Sequence, residues 1–197
     1  EEIRRIQKET GVTTIFVTHN QEDAMSISDL IIVMEKGVIQ QIGRPQDVYD
    51  HPENLFVAKF LGNPPINLFK GSIKNGMLLI GDDAVLRVNG SDHEDVTVGI
   101  RPEGFTVSEN GELNCTLREI EVMGRDTSIV SSHPAMQSDS FRAIVPAEAL
   151  ELIKGDAGNE NRTIRFTLKR SKVYMFDADG NHIEGAVFAD DEGGGAL

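Results

Sequence analysis

The chain has one cysteine, no tryptophan and two tyrosines among 197 residues. A single thiol, Cys115, closes no internal disulfide, so a stapled secreted scaffold is excluded as the source of stability. No apolar run approaches the ~20 residues that a membrane-spanning helix requires. Positive charge is also scarce, with 19 Lys and Arg against 32 Asp and Glu and a formal net charge of −13. A chain of that sign lacks the basic face on which a nucleic-acid binder depends. It also lacks the polybasic segment that holds a protein to an anionic membrane. The Gly-rich loop Gly-x-x-x-x-Gly-Lys-Ser/Thr is missing. His51, His93, His133 and His182 stand in no metal-ligand spacing and read as surface histidines. The 39% of hydrophobic residues is nevertheless enough for a packed core.

Two kinds of text divide the chain. Residues 1–10 carry Ile3 and Ile6 on one helical face, with Gly11 as a stop. The β-branched run 12–18 (VTTIFVT) predicts a strand covered on both faces, as in a parallel sheet. It ends at Thr18-His19-Asn20, and 21–27 predicts a short helix. A second apolar strand at 30–34 turns through Glu35-Lys36-Gly37 into a hairpin partner. Pro45 opens a helical turn, and Pro52 predicts the first position of another helix ending at Gly62. The chain opens without a Met, inside what reads as a helix, and is expected to be the closing part of a longer protein.

Gly62-Asn63-Pro64-Pro65 cannot continue a helix, and the domain boundary is placed there. Beyond it, short alternating runs predict strands. Asn75-Gly76 marks a tight hairpin turn. Leu113, Cys115 and Leu117 alternate, and Ile120 and Val122 continue in the opposite phase, which predicts a bulge near 118–119. Cys115 reads as a small core residue. Asp177 to Gly180 reads as a hairpin turn, and 146–153 as the one helical stretch. Lys169-Arg170-Ser171-Lys172 reads as a solvated strand end. Many short strands with Gly-rich turns predict a sandwich or barrel. Residues 190–197 (DDEGGGAL) are expected to form a flexible tail.

His19 stands where a buried strand is expected to end, the edge at which open α/β sheets place ligands. By residue type alone it reads first as a loop histidine without a function. The stretch IFVTHNQEDAM through FVAKFLG at 15–62 resembles the closing part of ATP-binding-cassette (ABC) ATPase subunits that drive importers of the maltose and multiple-sugar type. Further on, Gly99-Ile100-Arg101-Pro102-Glu103 resembles the "GIRPE" signature of their accessory C-terminal region. Val122-Met123-Gly124 followed by Asp126-Thr127 resembles a second signature there. The resemblance implies a mixed α+β chain. Residues 1–62 would be the C-terminal fragment of a P-loop α/β nucleotide-binding domain with its H-loop. Residues 63–189 would be a mostly β, OB-like domain of the transport-associated (TOBE) kind.

The resemblance also implies roles. His19 would be the switch histidine contacting the γ-phosphate of ATP, with ATP and Mg2+ used by the intact protein and no cofactor expected for the fragment alone. Arg101, Pro102 and Glu103 would form either a structural corner or a regulatory contact surface between C-terminal domains. The implied partners are a second ATPase subunit in a homodimer, two transmembrane permease subunits and a regulatory protein. The implied location is the cytoplasmic face of the cell membrane. Two rival readings remain: a barrel that senses a small oxyanion or sugar, and a pure dimerisation element.

Overall fold

The computed structural model describes residues 2–153 and 162–183, together with the backbone of 187–188. The expected tail at 190–197 lies outside the described residues. The chain divides into two compact units, 1–63 and 64–197.

The first unit opens with α1 (Glu2–Thr10) and α2 (Gln21–Ile27). The expected strand at 12–18 does not form, and the whole stretch between the helices is without regular structure. Ile15 is 89% and Val17 90% exposed. A parallel-sheet strand exists only through hydrogen bonds to its neighbours, and no described strand lies beside this one. The hairpin does form, from β1 (Ile31–Glu35) and β2 (Val38–Gly43). Its burial alternates: Ile31 and Val33 are inside while Ile32 and Met34 face out. The apolar run at 30–34, which reads as a second strand of the buried type, is therefore corrected to one covered on a single face.

Two short helices follow, α3 (Pro45–Asp50) and α4 (Leu55–Phe60). Pro45 is the first residue of α3. Pro52, by contrast, does not start α4. Asn54 caps that helix, its side chain accepting from the Val57 N–H at 3.0 Å, and a side-chain oxygen there satisfies an otherwise orphaned donor. Ile31, Val33, Val48, Val57 and Leu61 make the small core of this unit.

The second unit is antiparallel β. One sheet has the order β12-β6-β3-β4-β5-β13, from Val173–Phe176, His93–Ile100, Asn67–Lys74, Met77–Ile80, Asp83–Asn89 and Val187–Phe188. The other has the order β10-β9-β8-β11-β7, from Phe141–Pro146, Asp126–Ser132, Leu113–Met123, Thr163–Leu168 and Phe105–Val107. The two sheets enclose one hydrophobic core. This barrel-like pair of sheets is consistent with an OB-like domain. Phe69 and Phe105 both pack on Phe141, at ring-centroid distances of 5.4 and 4.9 Å, and Phe166 completes the group. The cluster thus draws on both sheets, and edge-to-face rings add specific attraction to plain area burial.

Several local expectations hold. Asn75 and Gly76 take φ of +52° and +73°, the two left-handed residues that a type I′ hairpin turn requires. The register of β8 against β9 slips between Leu117 and Glu119. The helical stretch is one 3-10 turn (Ala147–Ala149) followed by α5 (Leu150–Ile153). Four strands, β5, β7, β9 and β13, went unread in the sequence.

Candidate functional site

His19 lies on the exposed surface of the segment between α1 and α2. The chain around it is held by short polar contacts. The Asn20 N–H donates to Thr18 Oγ1 at 2.9 Å. Asn20 Oδ1 then accepts from the Glu22 and Asp23 N–H groups at 3.0 and 3.3 Å, capping α2. The two residues after the cap reach away from the helix. Gln21 Oε1 accepts from the Gly62 N–H at 2.9 Å, and Glu22 Oε1 from Asn63 Nδ2 at 3.2 Å.

The Arg101-Pro102-Glu103 corner is turned inward. Arg101 is completely buried, Pro102 is buried and Glu103 is half-buried. The Arg101 guanidinium stands 5.8 Å from the centroid of the Tyr174 ring, within the range of a cation–π contact. The Arg101 N–H donates to Lys172 O at 3.0 Å, and the Lys169 N–H to Gly104 O at 2.8 Å. Lys169 Nζ donates to Glu103 O at 2.9 Å, and Lys172 Nζ lies 3.5 Å from Glu103 Oε1. From the basic run 169–172, expected to be a solvated strand end, exposed Lys169 and half-buried Lys172 thus reach back to Glu103. An arginine without exposure is costly unless its charge is matched, so this corner is specified by its neighbours.

A third constellation joins residues that are distant in the sequence. Asp83 accepts from the Asn114 N–H at 2.6 Å and from Asn114 Nδ2 at 2.8 Å. His133 Nε2 lies 3.4 Å from Asp83 Oδ2. His133 Nδ1 accepts from the Ala135 N–H at 3.1 Å, which leaves Nε2 as the protonated nitrogen of the neutral ring, facing Asp83. The His133 side chain is only 6% exposed, so the expectation of a surface histidine is corrected. Its T-shaped contact with Phe69 helps hold it there. Next to Asn114, burial, with the Asp83 charge adding to it, pushes the Cys115 thiol up to about 12. Among the described residues, no group of three or more His, Cys, Asp and Glu is placed to hold a metal ion, and no helix is long and apolar enough to cross a membrane.

No protein-family model matches the chain. Individual proteins do. It is 35% identical over 181 residues to an sn-glycerol-3-phosphate import ATP-binding protein of Jannaschia sp., an alignment covering 90% of this chain and 48% of that one. It is 34% identical over 194 residues to an oligosaccharides import ATP-binding protein of Bacillus subtilis, covering 90% and 50%. A xylose/arabinose import ATP-binding protein of Haloferax volcanii is 44% identical over 114 residues, covering 55% and 30%.

The chain matches the C-terminal part of sugar-import ABC ATP-binding proteins.

It spans about half the length of the curated relatives it matches. Of the residues singled out in the sequence, the structure places His19 in the first unit and Arg101, Pro102 and Glu103 in the second. It brings the last three together with 169–172. Neither the Asp83–Asn114–His133 set nor the Gln21–Gly62 contact was visible beforehand, because no local pattern links positions 30 to 50 residues apart.

Proposed function

We propose that this chain is the closing portion of the ATP-binding subunit of an ABC importer for sugars, oligosaccharides or related polyhydroxylated solutes. On this reading residues 1–62 finish the nucleotide-binding domain and residues 63–189 form the TOBE domain. The observation that carries it is the alignment of about nine-tenths of the chain with proteins named as ATP-binding proteins for the import of such solutes. The exposure of Ile15 and Val17 supports it as well. A β-branched apolar run this bare is explained if residues outside this chain pair with it as neighbouring strands in the intact protein.

His19 then donates from its ring to the γ-phosphate of ATP held between two subunits. Fixed donors aimed at developing phosphate charge are a principal source of phosphoryl-transfer catalysis. Mg2+, the Gly-rich loop and the general base belong to the remainder of the intact protein. That protein works as a homodimer beneath two permease subunits at the cytoplasmic face of the membrane.

The test is His19→Ala in the full-length protein. ATP turnover is expected to fall on the order of 10²-fold while nucleotide binding persists, the size of effect seen when one preorganised donor is removed. Wild-type turnover in that variant overturns the reading. The 197-residue chain assayed by itself is expected to release no phosphate from ATP, and His19-dependent release by it would do the same.

A further inference from the structure

The segment that carries His19 is tied directly to the residues where the first unit ends. Asn20 Oδ1 caps α2. The Gln21 and Glu22 side chains both bind one place. Half-buried Gln21 takes the backbone N–H of Gly62, 41 positions away, and Glu22 takes the side-chain amide of Asn63. Two successive residues of the first turn of α2 thus hold two successive residues of the exit segment. Stiffness continues on both sides. The capped turn fixes Gln21 and Glu22 relative to Asn20 and so to His19. Pro64 and Pro65, which follow Asn63, have restricted φ and no N–H. A displacement of 62–63 therefore cannot be absorbed locally without breaking these bonds.

From this geometry we propose that Gln21 and Glu22 form a latch between the His19 segment and the Gly62–Asn63 exit, and that the latch positions His19 for its contact with phosphate. The proposal rests on the reading of His19 given above. It makes Gln21 and Glu22 positioning residues, because neither touches the reacting atoms. Whatever moves the exit segment moves His19, and by linkage the engagement of His19 restrains the exit segment.

The experiment uses the full-length protein and compares His19→Ala, Gln21→Leu, Gln21→Glu and Asn63→Ala by steady-state ATP hydrolysis and thermal melting. Gln21→Leu removes the acceptor at similar volume. It is expected to lower kcat about tenfold with KM for ATP unchanged, the upper range for one hydrogen bond. Gln21→Glu keeps an acceptor and is expected to restore kcat to within about twofold, a rescue that a loss of general packing would not produce. Asn63→Ala, an exposed truncation, is expected to lower kcat by roughly threefold. Wild-type kcat in Gln21→Leu beside an inactive His19→Ala overturns the latch. Equal losses in Gln21→Leu and Gln21→Glu overturn it too, because the acceptor is then not what matters. If Gln21→Leu does not fold, Asn63→Ala decides, and wild-type kcat there overturns the latch. Wild-type turnover in His19→Ala overturns the underlying reading and the latch with it.

Discussion

Asn67 is buried at the start of β3 and serves both sheets. Its Nδ2 donates to Ile100 O at 3.2 Å in its own sheet and to Arg142 O at 3.0 Å in the other. Its Oδ1 accepts from the Arg142 N–H at 3.2 Å. Asn67→Ala leaves these backbone groups without their partner inside the protein, and the loss is expected to be about 2–4 kcal/mol in urea unfolding. Cys115 makes a second prediction. Its thiol has a reference value of 9.0 and is raised to about 12, so the folded protein disfavours the thiolate. Below pH 9 the thiol is neutral in both states and costs nothing. As pH rises from about 9 toward 12 the unfolded chain ionises first, and stability falls. Urea unfolding at pH 8 and pH 10 should show this fall, and Cys115→Ala should remove the part due to the thiol. Native protein at pH 8 is expected to resist iodoacetamide, with rapid labelling in urea. Legibility was uneven at this scale. Cys115 was read as core because it sits on an apolar alternation. His133 and Arg101 were not read as buried, because their burial depends on Asp83, Asn114, Phe69 and Tyr174, none of them a sequence neighbour.

Strand β3 shows what an element demands beyond its pattern. A Cβ added at Gly71 would stand 2.5 Å from Leu79 O in β4 and 2.6 Å from Val98 Cγ2 in β6. The register of β3 against β6 also shifts between Gly71 and Ile73. Gly71→Ala must push apart strands on both sides, and a loss of about 2 kcal/mol, read as a lowered melting temperature, is expected. The elements legible in the sequence were those whose signal is local. Asn75-Gly76 carries its own turn chemistry. The phase slip after Leu117 announces the bulge. The strands that went unread lack such a signal. In β9, Thr127, Ser128 and Ser131 are buried alongside Ile129, so no apolar alternation runs through it. The segment 12–18 fails in the opposite sense, with a strong strand pattern and no partner strand among the described residues.

The whole molecule is two units of very different means. The core of the first unit centres on five buried residues, whereas the second encloses a continuous core between two sheets. The first unit also exposes Ile15, Val17, Ile32, Met34, Val38 and Ile42. Chains of about 60 residues bury too little surface to be more than marginally stable, and this one leaves much of its apolar surface bare. Residues 64–197 expressed alone are expected to unfold cooperatively with a β-type circular dichroism spectrum. Residues 1–63 alone are expected to melt without a sharp transition and to bind a hydrophobic dye. A cooperative transition in the shorter piece would contradict this account.

The hairpin turns, the bulge in β8 and the likeness to import ATP-binding proteins were legible in the residues alone. Each of these is written in residues a few positions apart or in a continuous string. That Arg101 and His133 lie inside, that Lys169 and Lys172 reach Glu103, and that Gln21 reaches Gly62 emerged from the fold. Turn chemistry and periodicity are properties of a short segment. Burial and hydrogen bonding of a polar side chain are settled by whichever distant residue the fold brings beside it.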